Sequence, residues 1–87
     1  MNTALLNNLK SLICKCDPSI KIEEINEMSD LVKDFGFNSF SFVRLLVEIE
    51  DEIGVEIGFE YLATGELSKI SKLCDLIEEF MNEKTDR

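Results

Sequence analysis

The sequence predicts an all-α protein, a small four-helix bundle with three main helices, one short helix and a long first loop. Two observations support this fold class. Apolar residues recur at helical spacing in three separate segments. The 87 residues are 45% hydrophobic and 31% charged, with one proline and four glycines, which is a globular composition. A chain of this length supports one core, so we expect a single domain over residues 1–87 with a polar tail at 82–87.

The first helix is predicted to start behind Thr3, a candidate N-cap, and to end at Asp17-Pro18. Between Pro18 and Gly36 no helical period persists, so we expect a long loop there, with room for a short turn near residues 30–33. The apolar residues of this loop are expected to lie against the core. They are Ile20, Ile22, Ile25, Met28 and Leu31.

The strongest helical pattern begins after Gly36, at Asn38 and Ser39, two residue types that cap helices well, and continues to about Ile53. One side of this helix carries a stripe that we expect to face the core. It consists of Phe42, Leu45, Leu46, Ile49 and Ile53.

The last part of the chain predicts a short helical turn and then a long helix. The short turn is expected around Phe59, Tyr61 and Leu62, and Ser68 is the candidate N-cap of the final helix. The final helix has one apolar face. It consists of Ile70, Leu73, Cys74, Ile77, Phe80 and Met81.

A second apolar row lies on the opposite side of the helix that starts near Ser39. Phe40, Val43 and Val47 fall there, and charged residues surround them. An exposed apolar row ringed by charge is typical of a docking surface, and the alternative is that it packs under the long loop or the short helix. The charged neighbours on this side are Arg44, Glu50 and Asp51.

The charge of the chain restricts its partners. Nine basic and eighteen acidic residues give a net charge of −9. Such a field repels nucleic acids and anionic membrane surfaces, and it attracts basic patches on other proteins. Acidity also keeps a small protein soluble, so the charge alone does not choose between docking and solubility.

Cysteine usage and the N-terminus favour a reduced, cytoplasmic protein, which we expect to be a monomer. The three cysteines are Cys14, Cys16 and Cys74, an odd number, and the N-terminal residues do not resemble a signal peptide. A thiol enzyme is disfavoured because the chain has no histidine to act as base. A single Cys-x-Cys pair supplies too few ligands for a structural zinc site, so we expect no metal.

Around Ser39 the chain resembles the acyl and peptidyl carrier proteins. The family pattern is Asp-Leu-Gly, two residues before an Asp-Ser-Leu triplet, and then an amphipathic helix ending in acidic residues. Here Asp34-Phe35-Gly36 and Asn38-Ser39-Phe40 occupy the two motifs, and Glu50-Asp51-Glu52 ends the helix. Beside the serine, two departures from the pattern matter: Asn38 replaces the usual Asp and Phe40 the usual Leu.

The resemblance implies a free-standing, non-catalytic carrier. A phosphopantetheinyl transferase would move 4'-phosphopantetheine from coenzyme A to Ser39, with Asn38 beside it. The thiol of that arm would then hold an acyl or aminoacyl group as a thioester. Its implied partners are the transferase, a loading enzyme and a downstream synthase or transferase. The positions implied to meet partners are Phe40, Val43, Arg44, Val47, Glu50 and Asp51, with Arg44 standing where an acidic residue is common.

The resemblance leaves the cargo open, because fatty acyl, ketide, aminoacyl and D-alanyl carriers share this architecture. The Asn38-Ser39-Phe40 triplet and Arg44 favour a dedicated polyketide, nonribosomal peptide or related secondary-metabolite pathway. A housekeeping fatty-acid or D-alanyl carrier is one alternative. A helical interaction module with the carrier fold and no arm is another.

Overall fold

A computed structural model describes residues 3–58, 60–61 and 65–85. In these ranges the chain forms four α-helices: α1 (Thr3–Cys16), α2 (Leu31–Phe35), α3 (Ser39–Ile53) and α4 (Ile70–Thr85). The connections include the 3-10 turns Ile22–Glu24 and Glu66–Ser68. No strand occurs in these ranges, and the all-α prediction is confirmed.

The core is formed by the predicted apolar stripes of the three long helices. α1 packs against both α3 and α4. The stripe of α3 is buried except for Ile53, which lies at the core edge, and in α4 Phe80 and Met81 likewise lie at the edge. Periodic burial of one face per helix therefore accounts for the bundle. The fully buried side chains of α1, α3 and α4 include Leu9, Ile13, Leu45, Ile49, Ile70, Leu73 and Ile77.

The long first loop lies only partly against the core. Ile20, Ile25 and Leu31 are buried as predicted. The prediction is wrong for Ile22 and Met28, which are 46% and 79% exposed. The loop backbone has no repeating geometry that would direct every apolar side chain to the core. The burial of each side chain therefore depends on the local turn of the backbone.

Backbone hydrogen bonds attach the end of this loop to the start of α4. The Ile70 N–H donates to the Ser29 carbonyl at 3.0 Å, and the Ser71 N–H donates to the Glu27 carbonyl at 3.1 Å. Asp30 and Lys69 form an isolated antiparallel bridge. These contacts hold the chain that precedes α3 in a fixed place.

The structure differs from the predictions at the starts of α1 and α4 and at the end of α4. Thr3 is already helical in α1 and is therefore not its N-cap. α4 begins at Ile70, and the Ser68 hydroxyl donates to Asp30 Oδ2 at 3.2 Å and to the Gly65 carbonyl at 3.0 Å, so Ser68 is not the N-cap. α4 continues to Thr85 through most of the predicted polar tail.

The short helical turn predicted around Phe59, Tyr61 and Leu62 lies largely outside the described residues. Glu60 and Tyr61 are described, and both have 3-10 geometry. The preceding segment contributes Val55 and Ile57 to the core.

Candidate functional site

Ser39 is the first residue of α3, and two local signals place it there. Gly36 adopts a left-handed conformation with φ 70°, which ends α2, and its N–H donates back to the Val32 carbonyl at 3.0 Å. Asn38 then caps α3, because its side chain accepts the Ser41 N–H at 3.0 Å. The sequence prediction of a helix start at Asn38 and Ser39 is confirmed.

The Ser39 hydroxyl is not used by the fold. Ser39 is exposed, and among the described residues its side chain makes no hydrogen bond. Capping is done by Asn38, whose Oδ1 also accepts the Ser41 hydroxyl at 3.2 Å. Unpaired backbone N–H groups and the positive end of the helix dipole make the first turn of α3 a favourable place for a phosphate ester.

The segment before Ser39 is held by Asp30, the N-cap of α2. Its Oδ1 accepts the Val32 and Lys33 N–H groups, each at 2.9 Å, and Asp34 Oδ2 accepts the Asp30 N–H at 2.7 Å. These backbone bonds, with the Lys33 N–H foremost, lower the pKa of the Asp30 carboxyl below its ordinary value of 3.8. Asp34, the acidic residue of the sequence motif, therefore supports the turn that leads to Ser39.

A cavity of about 380 Å³ opens beside Ser39. Segments that are distant in the sequence line it: the N-terminal part of α2, the start of α3 and residues 65–68. The sequence predictions missed this cavity, since only folding brings these segments together. Its lining includes the apolar Val32, Phe37, Phe42 and Leu67 and the polar Asp30, Lys33, Asn38 and Ser68.

The outer face of α3 carries the residues predicted to meet partners. Phe40 is 77% exposed and Val47 48% exposed, while Val43 is partly buried. The alternative that this row packs under another part of the chain is therefore wrong for Phe40 and Val47. Its charged neighbours Arg44, Glu50 and Asp51 are exposed as well.

The three thiols are buried to different degrees, and burial raises the pKa of each. Cys74 is buried, and burial, followed by the charges of Glu78 and Asp75, raises its pKa to about 11. Cys14 and Cys16 are partly buried, and burial raises the pKa of each. A thiolate nucleophile at neutral pH is therefore disfavoured. Within the described ranges, no three Cys, Asp or Glu side chains group closely enough to hold a metal ion.

No α-helix of the described chain has the length and apolar character needed to span a membrane. Among the described residues, an ion pair joins Lys15 Nζ of α1 to Glu48 Oε2 of α3 at 2.9 Å. This ion pair links two helices and does not involve Ser39, so we assign it to the packing of α1 on α3.

The arrangement at Ser39 fits a phosphopantetheine arm: an exposed hydroxyl that makes no hydrogen bond among the described residues lies at a helix start and at the edge of a cavity lined by both apolar and polar residues. Comparison with known proteins agrees with this fit. Residues 9–77 match the family model described as a phosphopantetheine attachment site.

The chain is also similar in sequence to acyl carrier proteins. The chain is 37% identical over 65 residues to an acyl carrier protein of Rickettsia bellii (strain RML369-C), covering 75% of this chain and 70% of the relative. It is 36% identical over 74 residues to an acyl carrier protein homolog of Ureaplasma parvum serovar 3, covering 84% and 90%. Since both the matched region and these relatives span Ser39 and most of the bundle, the chain belongs to the acyl carrier protein family, whose members are carriers with covalently attached 4'-phosphopantetheine and not enzymes.

Proposed function

We propose that Ser39 is the attachment point of the arm and that the protein presents acyl or aminoacyl groups, held on it as thioesters, to partner enzymes. The observation that carries this proposal is the exposed Ser39 hydroxyl, which makes no hydrogen bond among the described residues while Asn38 caps α3. When bound, the arm supplies a thiol on a flexible tether, so that cargo is held at high local concentration near a partner's active site.

The chain's own residues have three roles in this proposal. Asn38 fixes the first turn of α3 and thereby the position of Ser39. The loop contacts through Ser29 and Asp30 keep the approach to Ser39 in place. The outer face of α3 receives the transferase and the acyl-handling enzymes. It consists of Phe40, Val43, Arg44, Val47, Glu50 and Asp51.

The composition of that face supports a dedicated biosynthetic pathway for a secondary metabolite. Phe40 adds a large exposed ring next to the attachment point, and Arg44 places a positive charge in an otherwise acidic face. A partner with a uniformly basic surface would be repelled by Arg44, so a partner adapted to this chain needs an acidic group opposite it.

The attachment test is an intact mass measurement after incubation with coenzyme A, magnesium and a broad-specificity phosphopantetheinyl transferase. We expect a gain of one phosphopantetheine, lost in Ser39→Ala and retained in Ser41→Ala, which removes the neighbouring hydroxyl of the same turn. If neither the wild type nor Asn38→Asp gains the phosphopantetheine mass, the carrier proposal is contradicted and an interaction module without an arm is favoured.

The pathway is tested separately, on the modified protein. We expect fatty-acid synthesis enzymes to load and elongate it poorly, and Arg44→Glu to improve their use of it. Efficient elongation of the wild-type protein would contradict the dedicated pathway and favour a housekeeping carrier, while leaving the attachment at Ser39 intact.

A further inference from the structure

We propose that Lys33 is a positioning residue for the arm: its ammonium group pairs with the phosphodiester carried by Ser39 and holds that phosphate on the side of Ser39 that faces α2. The inference rests on the proposed attachment at Ser39. It assigns a role to a residue that lies outside both sequence motifs and outside the outer face of α3.

Lys33 of α2 and Ser39 of α3 lie at the same opening. Both are exposed, and both line the cavity. Lys33 is the only positively charged residue among the described residues that line it, since Arg44 and Lys69 do not. A phosphate bonded to the Ser39 hydroxyl oxygen therefore starts beside the side chain of Lys33.

The ammonium group of Lys33 is available for a phosphate. It forms no ion pair within the described part of the chain. The neighbouring Asp30 carboxylate accepts other donors, namely the N–H groups of Val32 and Lys33 and the Ser68 hydroxyl. A lysine carries its charge on a flexible four-carbon stem and binds phosphates as a point charge, so Lys33 can follow the phosphate without moving α2.

The charge of Lys33 is felt on the side of α2 that faces the cavity. The Lys33 N–H is the foremost cause of the lowered pKa of Asp30, and the positive charge of the Lys33 side chain contributes to the same lowering. Because Asp30 also lines the cavity, the ammonium group lies close enough to this opening to act on charges placed there.

The start of α3 has no carboxylate of its own to compete for Lys33. Its N-cap Asn38 is neutral, and its first turn contains no acidic residue. The acidic residue in the described lining is Asp30. A phosphodiester on Ser39 therefore places a second negative charge at an opening that already holds the Asp30 carboxylate, and these like charges repel each other. Lys33 is the cation that offsets this repulsion.

The experiment measures the change in melting temperature that modification causes, as the difference between the unmodified and the modified form of each variant. Intact mass first shows that the arm is attached, and thermal unfolding is followed by circular dichroism at low salt. An effect of a substitution on the fold alone is the same in both forms and cancels in the difference, so the difference reports the coupling between Lys33 and the arm.

The test variant is Lys33→Gln, which removes the charge and keeps a long polar side chain. We expect its change on modification to be about 1–4 °C lower than that of the wild type, the size of one exposed ion pair in a domain of this length. Lys33→Glu should lower it further, and Lys33→Arg should retain the wild-type value. Added salt of about 1 M should remove most of the difference between Lys33→Gln and the wild type, because it screens exposed charges.

The matched control is Lys72→Gln. It also removes one positive charge at an exposed position, but Lys72 lies on α4 and does not line the cavity. We expect its change on modification to equal that of the wild type. An unchanged value in Lys33→Gln, or an equal loss in Lys72→Gln, would overturn the role of Lys33 and leave the attachment at Ser39 standing. Failure of the arm to attach, seen by mass, would overturn both proposals.

Discussion

Asn38 and Ser39 are neighbours with opposite roles, and this division is visible only at the level of single atoms. Asn38 Oδ1 accepts both the N–H and the hydroxyl of Ser41, which leaves the Ser39 hydroxyl unbonded among the described residues. From the sequence, either residue could have been the cap. The structure resolves this choice because Asn38 has the extended backbone conformation of an N-cap, with φ −120° and ψ −175°.

The cap of α3 is tested by substitution of Asn38. Asn38→Ala removes the acceptor of the Ser41 N–H, so the free energy of unfolding should fall by about 1 kcal/mol, the usual loss for such a cap. Urea denaturation measures this change. Asn38→Asp retains an acceptor and should be within a few tenths of a kcal/mol of the wild type or slightly more stable, because a negative charge is favoured at a helix N-terminus. An equal loss in both variants would contradict the capping role.

Asp30 gives the protein a defined sensitivity to acid. Its pKa is lowered in the folded state by the N–H groups of Lys33 and Val32 and by Ser68. The stability that this carboxylate contributes is therefore present above its ordinary pKa of 3.8 and is lost as the pH falls through the lower folded value.

Asp30→Asn keeps an N-cap side chain but removes the titration. We expect a lower melting temperature than the wild type at neutral pH and a smaller loss of stability when the pH falls below about 4. Thermal unfolding followed by circular dichroism across this range measures both. Asp51→Asn, at an exposed position of α3, is the control. A pH profile of Asp30→Asn parallel to that of the wild type would contradict the assignment.

At the scale of elements, α3 has two apolar faces with different uses. Phe42, Leu45, Leu46 and Ile49 are buried, whereas Phe40 on the other side is 77% exposed. The helical period of the sequence predicted both faces, since residues that are three or four apart share a side.

Substitutions on the two faces should separate stability from recognition. Leu45→Ala leaves a void in the core and should lower the free energy of unfolding by about 2–5 kcal/mol. Phe40→Ala should change it by no more than about 0.5 kcal/mol, because its ring contributes little to the core. Chemical denaturation of the two variants checks this. A large destabilisation by Phe40→Ala would show that its ring packs on the protein and is not held free for a partner.

The sequence predicted only a short turn near residues 30–33, where the structure has α2, and it predicted the wrong role for Ser68. α2 is one turn and a half long and is too short to have a periodic pattern; its Asp30 cap and Gly36 end define it. Ser68 was expected to cap α4, yet its hydroxyl bonds to Asp30, 38 residues earlier in the chain. Such pairings arise from the packing of the loop on α4, and no local propensity encodes them.

At the scale of the whole molecule, the bundle is compact and strongly acidic. Its radius of gyration of 12.0 Å equals the roughly 12 Å expected for a folded chain of this length. A net charge of −9 on so small a body produces a long-range field that favours fast encounters with basic partner surfaces. The net charge follows directly from the composition, whereas the cavity beside Ser39 could not be predicted, because its lining segments are brought together only by the fold.

Cys74 reports on the opening of the whole core. Its side chain is fully buried, and its pKa is raised to about 11, so a thiol reagent should reach it only when the bundle opens. In a variant with Cys14→Ser and Cys16→Ser, we expect modification of Cys74 at neutral pH to be slow and to accelerate in parallel with urea-induced unfolding. Rapid modification of the folded variant would show that α4 opens locally.

The most direct test of the central claim is to locate the phosphopantetheine group by fragmentation of the modified peptide that spans α2 and the start of α3. The carrier account predicts that the added mass is found on Ser39 alone, and not on Ser41, which lies two residues later in the first turn of α3. Modification at Ser41 or at any other residue, or a peptide that stays unmodified with a competent transferase, would contradict it.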